Sequence, residues 1–386
     1  MLKIINNGNT LGYYDNIYGK LYTNNYEIIT ADIDTEEGTV SNHITCKNMI
    51  FTFDNNPRYK CTNSQLHKED GVIDTDKFWV FLKNLREYLD KNPEIQYLDI
   101  YGSDIVKYIN YLVLFVNKFS NKTIRLFIDT LFEPNDKIMS EVIMDILIKK
   151  PYVEFHIFGN TINEYVKKYI KTNPEKFWIS VDISKLEVSL DDFYNELDKL
   201  YPEDIHPVIE YIDITNSDLD IEKLRNDIKN FCINSNGLNK CNMFARITDR
   251  IFSPRLDIQD CSTNHCFLYQ IKPHVCTFNG ELVRCPNCTS IKELGKDQNN
   301  YLGILNKETT YRKFSDNHWV CDRDEFKYID KCLDCDVKAF CNFCDIDSSE
   351  NMDNICCTKT KIIYGGVLDA IISMQFENTN FKLEEV

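Results

Sequence analysis

No apolar run in the 386 residues approaches the ~20 needed to span a bilayer as a helix, so no membrane association is expected. Basic charge is also scarce. The chain carries 44 Lys and Arg against 60 Asp and Glu, a formal charge of -16, which disfavours nucleic-acid phosphates and anionic lipid and favours a basic or neutral partner. The opening Met1-Leu-Lys-Ile-Ile-Asn-Asn-Gly8 lacks the basic-then-apolar order of a secretory leader. With so many reducible thiols, the expected compartment is the cytoplasm. A Gly-x4-Gly-Lys phosphate loop is missing, and Gly365-Gly366 does not have its spacing, so ATP binding by this chain is not expected. There is no long linker and no repeat beyond an alternation of strand and helix patterns.

What is present suffices for real cores: 43% of residues are hydrophobic and 12% aromatic, and the length suggests two or three domains. Residues 1–49 are rich in Tyr, Thr and Asn with short alternating runs such as Tyr26-Glu-Ile-Ile-Thr30, and read as a small β-rich region. From Ile50, β-branched runs alternate with helical patterns. Candidate strands are Ile50–Phe53, Tyr97–Tyr101, Ile124–Asp129, Val153–Phe158, Trp178–Ile183, Val208–Ile214 and Met243–Ile247. Candidate helices are Asp76–Leu89, Asp104–Phe119, Asp136–Ile148, Thr161–Thr172, Leu190–Leu200 and Leu219–Phe231. This alternation is that of βαβ units on a parallel sheet, and seven strands suit an open or partial barrel over residues 50–255. In the second helix, Ile105, Ile109, Leu112, Val113 and Val116 fall on one stripe facing the sheet. Asp74, Asp104 and Thr161 read as caps. After Ile247 the pattern breaks into loops and cysteines across residues 256–386, recovering in a helix over Tyr364–Phe376 with Val367, Leu368, Ile371, Ile372 and Gln375 at helical spacing.

Most of the 16 cysteines fall between Cys261 and Cys357. The densest stretch is Cys332-x2-Cys335-x5-Cys341-x2-Cys344, followed by Cys356-Cys357; upstream stands Cys261-x4-Cys266-x18-Cys285, with Gly280-x4-Cys285 after the hairpin-like Thr277-Phe-Asn-Gly280. Short Cys-x2-Cys steps let one loop offer two sulfurs to a cluster while other loops complete its four thiolates. Eight such thiols would fill two [4Fe-4S] clusters. A disulfide framework fits poorly in a chain long enough to bury a core. Structural zinc is the stronger rival, although paired knuckles are usually further apart than five residues. Cys276, Cys288 and Cys321 have no assigned role.

The cysteine region resembles the SPASM domain, the auxiliary-cluster domain of radical S-adenosylmethionine enzymes that modify peptides. That family's pattern runs Cys, a gap, Gly-x4-Cys, a gap, Cys-x2-Cys-x5-Cys-x3-Cys, a gap and a final Cys. Here the matching run is Cys266-x13-Gly280-x4-Cys285, Cys332-x2-Cys335-x5-Cys341-x2-Cys344, then Cys356 or Cys357, one residue short in the step to Cys344. The resemblance implies that Cys261, Cys266, Cys285 and Cys344 hold one auxiliary cluster. It implies that Cys332, Cys335, Cys341 and one of Cys356 or Cys357 hold the second.

The β/α region is similar to the radical S-adenosylmethionine partial barrel, yet the Cys-x3-Cys-x2-Cys motif after the first strand is missing. Pro57, Cys61 and Ser64 stand in its slots, and neither proline nor serine replaces a thiolate on iron. Where the family places Gly-Gly-Glu-Pro to hold the methionyl amine, this chain has Tyr101-Gly-Ser-Asp104. S-adenosylmethionine binding and radical chemistry are therefore not expected. A SPASM-bearing protein without the radical motif resembles the component of grasp-with-spasm peptide maturation systems, which implies a precursor peptide and an ATP-grasp ligase as partners. An active iron-sulfur enzyme, radical or electron-donating, is the alternative, and a zinc-bound interaction protein the third.

Other groups read more plainly. His265 beside Cys266 reads as a surface residue or a support for a ligand, and His43 near Cys46 as structural for want of an orienting partner. His67, His156, His206, His274 and His318 are isolated. Asp191-Asp192 reads as a helix start, and Asp345-Ile-Asp-Ser-Ser-Glu350 as a solvated face.

Overall fold

The computed structural model describes residues 1–16, 19–30, 48–52, 73–102, 109–128, 145–158, 160, 162, 164–214, 219–252, 275–283, 301–306, 335–337, 340, 355–378 and 380–385. These form a mixed α/β protein with two sheets. Its strands are β1 (Leu2–Asn6), β2 (Asn9–Asp15), β3 (Lys20–Thr23), β4 (Asn48–Thr52), β5 (Tyr97–Gly102), β6 (Thr123–Ile128), β7 (Val153–Phe158), β8 (Phe177–Asp182), β9 (Ile209–Asp213), β10 (Val275–Thr277), β11 (Glu281–Val283), β12 (Tyr301–Ile304) and β13 (Lys382–Glu385). Its helices are α1 (Thr75–Lys91), α2 (Ile109–Lys118), α3 (Glu164–Thr172), α4 (Leu190–Asp198), α5 (Ile221–Asn234), α6 (Gly237–Lys240), α7 (Asn242–Phe252) and α8 (Ile355–Gln375).

The larger sheet runs β12-β11-β10-β4-β5-β6-β7-β8-β9. From β10 across to β9 every neighbouring pair is parallel, and β11 and β12 add an antiparallel meander on the β10 side. Parallel neighbours need crossovers long enough to hold a helix, which the strand-helix alternation supplies. The strand β10 lies beside β4, so segments from either side of residue 255 share one sheet. In the smaller sheet the order is β13-β1-β2-β3, all antiparallel. Thus the N-terminal β-rich region is completed by a strand from the far end of the chain.

Local chemistry accounts for the elements. Asp74 caps α1 by accepting from the amides of Asp76 (2.9 Å) and Lys77 (3.1 Å), and Pro93 follows the Asn92 that ends the helix. Phe78, Phe81, Leu82, Leu85, Tyr88 and Leu89 form its buried stripe. In α2, Leu112, Phe115 and Val116 are buried, so the expected stripe holds at Leu112 and Val116. Ser189 caps α4, with Asp191 and Asp192 in its first turn, the place where acids favour the helix dipole. The β10–β11 turn closes with Gly280 at φ +84°, a backbone region that suits glycine, and its amide donates to Thr277 O at 2.9 Å.

One expected strand is corrected. Residues 243–247 lie inside α7, because Phe244, Ile247 and Ile251 are buried at helical spacing and one β-branched residue in five, Ile247, does not impose period two. The expected helix over Asp136–Ile148 is described only at 145–148, of which 145–147 are helical and Ile148 is in the turn that follows. Asp104, Thr161 and the strand end Asp129 lie outside the described residues.

Two cores result. One lies between the apolar face of β4–β8 and helices α1 to α3, and takes in Cys276 of β10. The other gathers β8 and β9 ends with α4, α5, α7, α8, the small sheet, Val337 and Phe340. At its centre α8 crosses α5 closely. A Cβ on Gly366 would lie 2.7 Å from Arg225 O and 2.8 Å from Ile228 Cβ, and one on Gly365 would lie 2.7 Å from Arg225 Cζ. The glycine pair therefore serves helix packing.

Candidate functional site

The strands that bury Leu98, Ile100, Ile124, Leu126, Phe155, Phe177, Ile179 and Val181 on the helix side carry a different set on the other face. Side chains alternate along a strand, so the register places Asp99, Arg125 and Glu154 in one row and Phe127, His156 and Trp178 in the next. Ser180 opposite Tyr211, and Asp182 opposite Asp213, continue the face to the C-terminal ends of β8 and β9. This polar and aromatic surface lies on the sheet face opposite the α1–α3 core, where a parallel sheet covered on both faces would ordinarily be apolar.

Its components are tightly coupled. Asp99, almost fully buried, accepts from Arg125 Nε and Nη2 at 2.6 Å each, the bidentate fork that suits a desolvated pair. The same guanidinium lies over the Tyr97 ring at 4.7 Å. In the next row His156 stacks on Phe127 (4.3 Å between centroids) and on Trp178 (5.8 Å, 7° between planes), with Glu154 3.8 Å from its Nε2. The Trp178 indole nitrogen is buried and meets no hydrogen-bond partner among the described residues.

At the strand ends the face becomes acidic. Asp182 accepts from Ser184 N (3.1 Å) and Ser184 Oγ (2.5 Å) and lies 3.2 Å from Lys185 Nζ. Asn160 brackets its backbone, donating to Asp182 O at 2.8 Å and accepting from Asp182 N at 2.7 Å. Beside it Asp213 accepts from Lys359 in α8, whose ammonium also sits 4.8 Å from the Tyr211 ring centroid. Burial works against charge on Lys359, but Tyr211 and Asp213 outweigh it and hold the ammonium above its ordinary range. This contact brings the first turns of α8, which carry Cys356 and Cys357, to the C-terminal end of β9.

Of the other expected ligands, Cys335 is described, and Cys261, Cys266, Cys285, Cys332, Cys341 and Cys344 lie outside the described residues, as do Cys61, Pro57 and Ser64. Cys335 is half-buried in a short turn. Its carbonyl accepts from Asn16 Nδ2 at 3.1 Å. The next residue, Asp336, binds Arg225 Nη2 at 2.6 Å, while Asp369 of α8 takes Arg225 Nε at 2.6 Å and Nη2 at 2.9 Å. Val337 and Phe340 are buried, Phe340 stacking on Tyr364 at 5.6 Å. Among the described residues no group of three or more His, Cys, Asp or Glu side chains is placed to hold a metal ion. Cys276 is a core residue, and Cys232 is a buried thiol whose ionisation is pushed up by burial and then by Cys241.

Sequence reasoning took His156 as isolated and missed the polar face. The signal was present in the alternations Tyr97-x-Asp99, Arg125-x-Phe127, Glu154-x-His156 and Trp178-x-Ser180-x-Asp182, which become legible only when neighbouring strands are set in register.

No protein-family model matches the chain, and no curated protein or solved structure matches it. Mixed α/β architecture with a parallel sheet is what the fold defines. Among the described residues no helix is long and apolar enough to cross a membrane.

Proposed function

We propose that this chain is an iron-sulfur protein of ribosomal peptide maturation, which binds a precursor peptide, an ATP-grasp ligase or both, without performing radical chemistry. In this reading the parallel sheet is a degenerate partial barrel, its polar face is the inner wall, and residues 256–386 are a SPASM-like module. The cysteine spacing carries the proposal: Gly280-x4-Cys285, Cys332-x2-Cys335-x5-Cys341-x2-Cys344 and Cys356-Cys357 form a donor set suited to iron and sulfide. Cys261, Cys266, Cys285 and Cys344 would hold one [4Fe-4S] cluster, and Cys332, Cys335, Cys341 and Cys356 or Cys357 the other. Bound clusters supply one-electron chemistry and rigid cross-links between loops.

The protein's own residues would supply recognition. Ligands of parallel α/β sheets gather at the C-terminal strand edge, where Asp182 and Asp213 are buried and the first turns of α8 arrive. With a net charge of -16, a basic peptide segment is favoured and its binding weakens with salt. Calorimetry with cluster-replete protein against short peptides carrying a basic segment and against an ATP-grasp ligase tests the role. Saturable, salt-sensitive binding supports it; no heat with any of them leaves the electron-transfer alternative ahead.

A further inference from the structure

We propose that Asn16, Asp336 and Arg225 form a clamp that sets Cys335 in place before any cluster is bound, making Asp336 and Arg225 positioning residues for the cluster Cys335 helps to hold. The inference rests on the iron-sulfur reading above for its ligand, and on geometry for the clamp.

Four distant parts of the chain meet at this turn. Asn16, just past β2, donates to the Cys335 carbonyl at 3.1 Å, so the peptide leaving Cys335 is fixed by the small sheet. One residue on, Asp336 accepts from Arg225 of α5 at 2.6 Å. Arg225 cannot swing away, because Asp369 of α8 holds its Nε and Nη2, and the guanidinium lies against the bare backbone of Gly365. Val337 and Phe340 then anchor the segment in the core. A charge-assisted hydrogen bond on mostly buried partners is among the stronger polar contacts available, and its side chains are only 16% and 20% exposed. A turn held this way loses little conformational entropy when its thiolate takes a metal, which is the advantage of a preorganised ligand. The arrangement also makes the small sheet part of the cysteine region's framework, since β13 follows α8 and pairs with β1.

The test compares wild type, Asp336→Ala and, as a control that leaves the Cys335 turn's own bond intact, Asp369→Asn. Hydrogen exchange on metal-free protein should find the Phe340 amide, which donates to Val337 O at 2.9 Å, protected, with protection falling at least ~10-fold in Asp336→Ala and by less in Asp369→Asn. Anaerobically reconstituted Asp336→Ala should hold about half the iron of wild type and lose one component of the reduced protein's electron paramagnetic resonance spectrum. An unprotected Phe340 amide in metal-free wild type, or an Asp336→Ala protein with unchanged protection and spectrum, overturns the clamp. Wild type that takes up no iron while that amide is protected and released by Asp336→Ala overturns the iron-sulfur reading and the clamp's role as a ligand support, leaving a folding contact.

Discussion

Lys359 in α8 donates to Asp213 at the end of β9, so the helix bearing Cys356 and Cys357 is latched to the sheet edge where a parallel α/β protein presents its ligands. Lys359→Met strands a buried carboxylate and is expected to cost about 3 kcal/mol in urea unfolding. Adding Asp213→Leu should recover a good part of that, since the second change removes the orphaned charge. Equal and additive losses in the two single variants and the double would mean that the pair is not coupled.

Asp99 and Arg125 invite the same comparison inside the sheet. Both side chains are almost or largely buried, at 2% and 12% exposure. Arg125→Met should destabilise by about 3–5 kcal/mol, more than Arg86→Ala, whose partner Asp90 is exposed. A smaller loss for Arg125 than for Arg86 contradicts the desolvated pair.

Gly366 tests the helix crossing. An Ala methyl there meets the Arg225 carbonyl and Ile228, so Gly366→Ala is expected to cost about 1–3 kcal/mol although alanine favours helix by itself. A rise in Tm would place the two helices further apart.

Alkaline stability follows from groups whose deprotonation the fold opposes. Burial raises Tyr194 and Tyr201 above their ordinary value of 10.0, and its partners hold Lys359 above 10.5. For each, the unfolded chain gives up its proton first, as it also does at Cys232, which burial raises above its ordinary 9.0, so stability is intact below about pH 9 and falls as pH rises further. Lys122 and Lys176, lowered by burial, act oppositely, but their gain is complete once pH passes 10.5. Urea midpoints should therefore drop above pH 10.5, less steeply in Tyr194→Phe. Among the described residues, that variant gives up the 2.9 Å bond to Pro207 O.

The βα order was legible because each unit declares itself locally: a β-branched run, a polar cap, an amphipathic stripe. Ile50, Tyr97, Ile124, Val153, Trp178 and Ile209 all fall in strands. Met243–Ile247 was not, since five residues sample both periods and only burial of Phe244, Ile247 and Ile251 decides. The addition of β10 to β4, and of β13 to β1, joins residues more than 200 positions apart, and short strands contain no local record of their partner. Likewise Arg225 reads as one charge on a helix until α8 brings Asp369 to it. The cysteine spacing was visible from the start, and the structure adds the Asn16 bond to the Cys335 carbonyl and the Asp336–Arg225 pair beside it.

On the proposed reading Pro57 and Ser64 occupy two of the three cysteine slots of the radical motif, and reductive cleavage of S-adenosylmethionine is expected to be absent. The appearance of 5'-deoxyadenosine above a cluster-free control, abolished by Cys61→Ala, would establish radical chemistry and displace the binding role.

The most direct measurement is metal and sulfide analysis of anaerobically purified protein, repeated on Cys335→Ala and Cys285→Ala. The account expects brown protein with on the order of eight irons and matching sulfide, each substitution removing about half. Colourless protein holding stoichiometric zinc, or none of these metals, would contradict it.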